Sequence, residues 1–246
     1  MSRRQRFHDF YARKSNVTGY DVSHPPATSA RGLLTEAAAS KYEYRGDKIA
    51  DAVVVRADLN GYSKWAADKS IAERVALLSE FFTAVVGDLD SSGGIYFRDE
   101  GDCVVGLFSN YFDTNFSYAQ AEPFCRKVVG RTYGVAKLTA KCCVAMGKIA
   151  IYQKAHEIGT DDWSAEGQPF VHAARLEQSV PSKPAIYYFE NEFQPTVLST
   201  INFVGSGSKY NWLHETENMQ VPGLGFDGGW TKIRVIDHFP EGRTMP

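Results

Sequence analysis

The stretch GGIYFRDEGDCVVGLF, Gly93 to Phe108, leaves the chain little choice but a hairpin. Two runs rich in β-formers, 93–98 and 103–108, flank the polar tip Arg-Asp-Glu-Gly-Asp, and Asp and Gly are the residues that tight turns use. The run VVVRAD before it ends a strand over 52–58, and the apolar spacing from about Lys64 to Leu89 is helical. A second helical stretch near 115–132 and a strand over 136–152 complete a β-α-β-β-α-β order. That order predicts an α+β fold with a ferredoxin-like core. A loop with Asp161, Asp162 and Trp163 follows, then a helix from Pro169 to about Val180. Additional C-terminal strands are expected at 185–189, 200–204, 209–214 and 231–237. Residues 1–50, polar and carrying Pro25, Pro26 and LLTEAAAS, read as an opening arm, and 51–246 as one catalytic-sized domain.

Bulk properties remove several classes of function. A chain of 246 residues with 43% apolar side chains can bury a sizeable core. Its net charge of −2 and lack of a long basic run give nucleic acid no electrostatic footing. No run approaches the roughly 20 apolar residues of a membrane span. The basic start MSRRQRFHDFYARKS lacks the apolar centre of a secretory signal. Cys103, Cys125, Cys142 and Cys143 show no CxxC or CxxH spacing, so they are expected as reduced, buried thiols. Cys142 and Cys143 are adjacent in a strand and should face opposite sides. These readings point to a soluble, cytoplasmic protein.

The carboxylates carry the chemistry. In this order of elements the end of strand 52–58 lies beside the hairpin tip, which brings Asp58 and Asp102 together. Two carboxylates there suit Mg²⁺, which takes hard oxygen ligands and leaves positions for substrate phosphates. The turn LNGYS that follows offers the backbone N–H groups of Asn60, Gly61, Tyr62 and Ser63 to a polyphosphate at a helix start. These are the ingredients of metal-assisted phosphoryl or nucleotidyl transfer. The plainer alternative is that Asp58 caps the next helix and Asp102 decorates a turn.

ADLNGYS resembles the D-x-x-G-F-[ST] motif of class III nucleotidyl cyclases, with Asp58, Gly61, Tyr62 and Ser63 in register. GGIYFRDEGDCVVGLF is similar to that family's second motif, in which Gly-Asp follows a base-reading residue. GQPFVHAARLE, 167–177, resembles its G-x-x-V-N-x-A-x-R-L-E helix. The resemblance implies that Asp58, Asp102 and the Leu59 carbonyl hold two divalent ions, Mn²⁺ or Mg²⁺. One would activate the ribose 3′-hydroxyl and the other bind the triphosphate and leaving pyrophosphate. Arg175 matches the family's transition-state arginine, a planar cation able to neutralise charge growing on the α-phosphate. The family takes its aspartates from one subunit and this arginine from the other, which implies a head-to-tail homodimer with shared active sites. The alternative for Arg175 is an ion pair with Glu177, poorly placed two residues along a helix.

Two family positions differ. Val171 stands where the family usually has a ribose-binding Asn, with His172 next to it, and Lys232 is a weak counterpart of the usual phosphate-binding lysine. For the base, the resemblance pairs Arg98 with Ser164, and Tyr62 stands nearby. Arginine only donates, so it favours a carbonyl edge over adenine's amine, and its length favours a smaller ring. Uracil O4 fits this best, while cytosine O2 and N3 and guanine O6 are acceptors too. The alternative for Arg98 is an ion pair with Asp99 or Glu100.

The combination resembles the pyrimidine cyclases of bacterial Pycsar anti-phage systems. It implies conversion of UTP to 3′,5′-cyclic UMP and pyrophosphate, with a separate cyclic-nucleotide-activated effector as partner. Cyclic CMP or a purine product are the enzymatic alternatives. A nucleotide-binding regulator without turnover, for which Val171 speaks, is the alternative of another class.

Overall fold

The computed structural model describes residues 48–113, 115–154, 162–190, 211–224 and 230–239. β1 (Lys48–Leu59) leads through a short helix α1 (Tyr62–Ala66) into the long helix α2 (Ile71–Ser91). The hairpin β2 (Ile95–Glu100) and β3 (Cys103–Ser109) follows, then α3 (Ala121–Val129) and β4 (Ala140–Lys154). β5 (Asp162–Glu166), α4 (Gln168–Ser179), β6 (Ala185–Phe189), β7 (Asn211–Gln220) and β8 (Trp230–Phe239) complete the chain of elements. The strands form one sheet in the order β2-β3-β1-β4-β6-β8-β7, with β5 paired to β4. Within it β4-β1-β3-β2 runs antiparallel throughout, the ferredoxin-like order expected from the β-α-β-β-α-β pattern. The C-terminal strands extend the sheet past β4, where β6 joins in parallel.

Strand periodicity divides β1 between two cores. Val53, Val55 and Ala57 pack with Leu77, Phe81, Val85 and Leu89 of α2 and with Phe124, Cys125 and Val128 of α3. Ala52 and Val54 point to the other face, where Ala173 and Leu176 of α4 cover the sheet. The same alternation sends Arg56 and Asp58 to the α4 face, so the strand that builds both cores ends on a charged pair. Gly101 takes φ 69 at the first position of the two-residue loop between Glu100 and Cys103, a conformation that favours glycine.

Several boundaries differ from the sequence pattern. The helical stretch 64–89 is two helices, because Ser70 opens a new N-terminus. Its side chain accepts from the Glu73 N–H while Glu73 bonds back to the Ser70 N–H. The helix expected over 115–132 is confined to Ala121–Val129. A 3₁₀ turn at Tyr118–Gln120 precedes it. β4 starts at Ala140 rather than 136, since Tyr133 and Leu138 first close a small bridge. Where a loop was expected around Asp162 and Trp163, β5 pairs antiparallel with the end of β4. β1 begins at Lys48, inside the stretch read as an arm; residues 1–47 and the strand expected at 200–204 lie outside the described residues. All four cysteines are buried free thiols, with Cys142 and Cys143 in opposite cores.

Candidate active site

Asp58 pairs in register with Cys103 on β3, which sets it beside the hairpin loop, and the Leu59 N–H donates to the Asp102 carbonyl at 3.3 Å. Burial pushes the Asp58 carboxyl up to about 6, against the pull of Lys141; the charges of Glu177 and Asp102 push the same way as burial. Asp102 is raised too, first by burial, with Glu177 repelling it. Lys141, directly across β4 from Asp58, brings its ammonium to 3.3 Å from the carboxylate and donates to the Glu177 carbonyl at 3.3 Å. Asp58 does not cap the next helix: the N-cap of α1 is Gly61, without a side-chain cap.

Among the described residues no three His, Cys, Asp or Glu side chains form a ready-made metal site. Asp58 and Asp102 instead make a two-carboxylate set on adjacent strand ends, with the charge of Glu177 close by and Lys141 the cation in contact with Asp58. Such hard oxygen donors fit Mg²⁺ or Mn²⁺ when backbone and phosphate oxygens complete the shell.

The turn after β1 is anchored from behind. Asn60 is buried; its N–H donates to the Thr139 carbonyl at 2.8 Å and its Nδ2 to Thr139 Oγ1 at 3.0 Å. Its Oδ1 accepts from Ser182 Oγ at 3.1 Å. The Asn60 N–H is thus committed within the fold. Those of Gly61, Tyr62 and Ser63 find no acceptor among the described residues, with Gly61 at φ 74 turning the chain. Tyr62 is half-buried against Trp65, ring centroids 5.9 Å apart. Burial raises its hydroxyl pKa, and the Asp102 charge adds to the rise.

Arg98 does pair with Glu100, the ion pair that stood as its alternative, while half of its side chain stays exposed. Glu100 also accepts from Arg56 Nη1 at 2.7 Å. Arg56 in turn spans to α4, with Nε and Nη2 each 2.8 Å from Glu177 Oε2. Ser164 lies on β5, registered against Tyr152 of β4.

Glu177 being engaged by Arg56, the ion pair between Arg175 and Glu177 does not form. Arg175 faces outward from α4 and lies against the backbone of Gly223; a Cβ there would sit 3.3 Å from its Cζ. Val171, one turn earlier, is exposed on the same helix. His172 turns toward the sheet, its ring meeting Phe189 edge-on at 5.6 Å. Lys232 sits on β8 opposite Asn218.

The fold therefore gathers Asp58, Leu59, Asp102 and Tyr62 at one point and links Arg98 to α4 through Glu100 and Arg56. Arg175 makes no ion pair or hydrogen bond to Asp58 or Asp102 among the described residues. Arg56 and Lys141 are the site residues that the motifs do not mark. Their signal in the sequence is charge inside apolar runs, VVVRAD and AKCCVAM, where an unpaired cation could not be buried.

No protein-family model matches the chain, and no curated protein matches it in sequence. Solved structures do match in fold. The adenylyl cyclase CyaB from P. aeruginosa superposes with a TM-score of 0.60 at 12% identity, over 81% of this chain and 100% of that one. The guanylate cyclase domain of RhGC from Catenaria anguillulae, in complex with GTP, gives 0.57 at 12% identity over 78% and 98%. The guanylyl cyclase Cya2 gives 0.55 at 14% identity over 80% and 96%. The chain has the class III nucleotide-cyclase fold. Both adenylyl and guanylyl cyclases share this cyclase fold, so the likeness carries no preference for a base. No helix among the described residues is long and apolar enough to cross a membrane.

Proposed function

We propose that the chain is a nucleotidyl cyclase that converts UTP to 3′,5′-cyclic UMP and pyrophosphate. The observation that carries the reading is the meeting of Asp58 and Asp102 on neighbouring strand ends of a cyclase fold. Asp58, Asp102 and the Leu59 carbonyl would hold two divalent ions. When bound, the ions supply Lewis acidity for in-line attack of the 3′-hydroxyl on the α-phosphorus. The N–H groups of Gly61, Tyr62 and Ser63 meet the triphosphate oxygens, and Lys141 adds a cation beside the same carboxylates. Arg175, exposed on α4 and without an ion pair or hydrogen bond to its own chain's Asp58 or Asp102 among the described residues, would act in the site of a second copy in a head-to-tail homodimer. Its guanidinium would neutralise charge developing on the α-phosphate.

Arg98, with Ser164 and Tyr62, reads the base; as a pure donor Arg98 matches uracil O4. The product would serve as a second messenger for a separate effector in anti-phage defence, made in the cytoplasm. Incubation of the purified protein with ATP, GTP, CTP or UTP and Mn²⁺, followed by chromatography against cyclic standards, tests the reading. Cyclic UMP alone is expected. Cyclic CMP or a purine product keeps the cyclase and overturns the role given to Arg98. Nucleotide binding without any pyrophosphate release replaces the enzyme by a regulator, the outcome that the exposed Val171 favours.

A further inference from the structure

Arg98, Glu100, Arg56 and Glu177 form a chain of alternating charge that runs from the hairpin tip to α4. The register of the hairpin makes it possible. Between Tyr96 and Arg98 the pairing of β2 with β3 slips by one residue, so that Phe97 is the extra residue of a bulge. Arg98 then pairs with Val105, and Val105 pairs on its other side with Arg56, which puts both arginines in one row on the α4 face. Glu100, two residues on from Arg98, shares that face. One of its oxygens takes Arg98 Nη2 and the other takes Arg56 Nη1. Arg56 is buried and its opposite edge is held by Glu177, so Glu100 is anchored to an immobile partner. Arg98 has a second restraint: its Cζ lies 5.3 Å from the Phe97 ring centroid, and Phe97 packs at 4.9 Å on Phe170 of α4.

We infer that Glu100 is a positioning residue for nucleobase selection, fixing the Arg98 guanidinium as a donor to a neutral carbonyl edge. Two glutamates balance two arginines along the chain, so Arg98 presents directed N–H groups with little net positive charge. A phosphate needs uncompensated charge; a base carbonyl needs direction. The arrangement supplies direction. A free arginine would sweep many rotamers and donate to any oxygen within reach, whereas one held by Glu100 and Phe97 donates to a carbonyl only where the pocket places it. The inference rests on the reading of Arg98 as the base-reading residue.

The test measures binding of ATP, GTP, CTP and UTP by displacement of a fluorescent nucleoside triphosphate. It uses full-length protein carrying Arg175→Ala, so that turnover does not deplete the ligand. Into this parent are placed Glu100→Gln, Arg98→Ala and both together. Glu100→Gln is expected to narrow the preference between the best and the other nucleotides about tenfold, the effect of losing one charge-assisted hydrogen bond. The double variant is expected to lose no more than Arg98→Ala alone, as for two residues acting as one unit.

If Glu100→Gln weakens all four nucleotides equally while Arg98→Ala changes their ratio, Glu100 is merely structural and the inference fails while the base reading stands. If Arg98→Ala leaves the ratios unchanged, the base reading itself fails. Absence of binding for all four in both the parent and the unsubstituted protein removes the nucleotide site altogether. Because Gln is isosteric with Glu and Glu100 is partly exposed, the fold should survive; a melting curve for each variant identifies any loss that comes from unfolding.

Discussion

Lys141 faces Asp58 across the β1–β4 ladder, its ammonium 3.3 Å from the carboxylate, in a pair that both strands bury. It is the only cation in contact with Asp58 among the described residues, and the charges of Asp102 and Glu177 stand close by. Replacing it by the similarly shaped Lys141→Met leaves three carboxylates without that compensation. Breaking a buried pair from one side costs on the order of 3 kcal/mol. The variant should melt well below the parent in EDTA and recover more than the parent when Mn²⁺ is added, since the metal restores the missing positive charge. Equal gains from Mn²⁺ in both proteins would show that the lysine and the metal do not act on the same carboxylates.

The pH dependence of stability carries the opposite sign to that of an ordinary salt-bridged aspartate. Asp58 titrates near 6 in the folded chain, chiefly through burial, so folding favours its protonated form. Its contribution is fully present below the unfolded value, about pH 4, and is lost as pH rises through about 6. Asp102 is shifted in the same direction. In metal-free buffer, chemical denaturation over this window should therefore show stability falling with pH by up to about 3 kcal/mol from Asp58. Asp58→Asn should flatten that slope. An unchanged slope in the variant would assign the dependence to other groups.

The framework was legible because its signals are local. A hairpin with Gly101 at its tip, an apolar strand before it and helical periodicity between them define the order of the sheet, and the order alone puts Asp58 beside Asp102. The break at Ser70 was also written in the sequence: Ser70-Ile-Ala-Glu73 is an S-x-x-E box ahead of apolar periodicity. β5 was hidden because its polar residues pair only with the end of β4, a partner that periodicity does not name. Beyond its first link, the Arg98–Glu100 pair, the chain through Arg56 to Glu177 was hidden for the same reason. It depends on a one-residue bulge at Phe97 and on α4 crossing that face of the sheet, and both are facts of register and packing.

The capping box gives a test of the helix break that is independent of the active site. Ser70 Oγ accepts from the Glu73 N–H at 3.3 Å, and Glu73 answers with an acceptor for the Ser70 N–H at 2.9 Å. Ser70→Ala removes half of this exchange on an exposed loop. It should cost about 1 kcal/mol in chemical denaturation. Activity should be unchanged, since Ser70 touches none of the site residues. No measurable cost would mean that α1 and α2 behave as one continuous helix in solution.

The outward direction of Arg175 makes a sharper demand. Within one chain it lies on Gly223 and makes no ion pair or hydrogen bond to Asp58 or Asp102 among the described residues, so the proposed chemistry calls for a second copy to bring it to the carboxylates. Asp58→Ala and Arg175→Ala should each be inactive alone while melting as folded proteins. Neither substitution removes a core side chain, though Asp58→Ala also frees Lys141. Mixed in equal amounts, the two variants form some heterodimers in which one site has lost both groups and the other retains an intact Asp58 and an intact Arg175. With random exchange half of the dimers are mixed and half of their sites are whole, so recovery of about a quarter of the parent rate is expected. The rate should rise with protein concentration as subunits associate. A mixture as inactive as its components, at concentrations where the parent is dimeric, would place Arg175 and Asp58 in the same chain's site or outside the reaction.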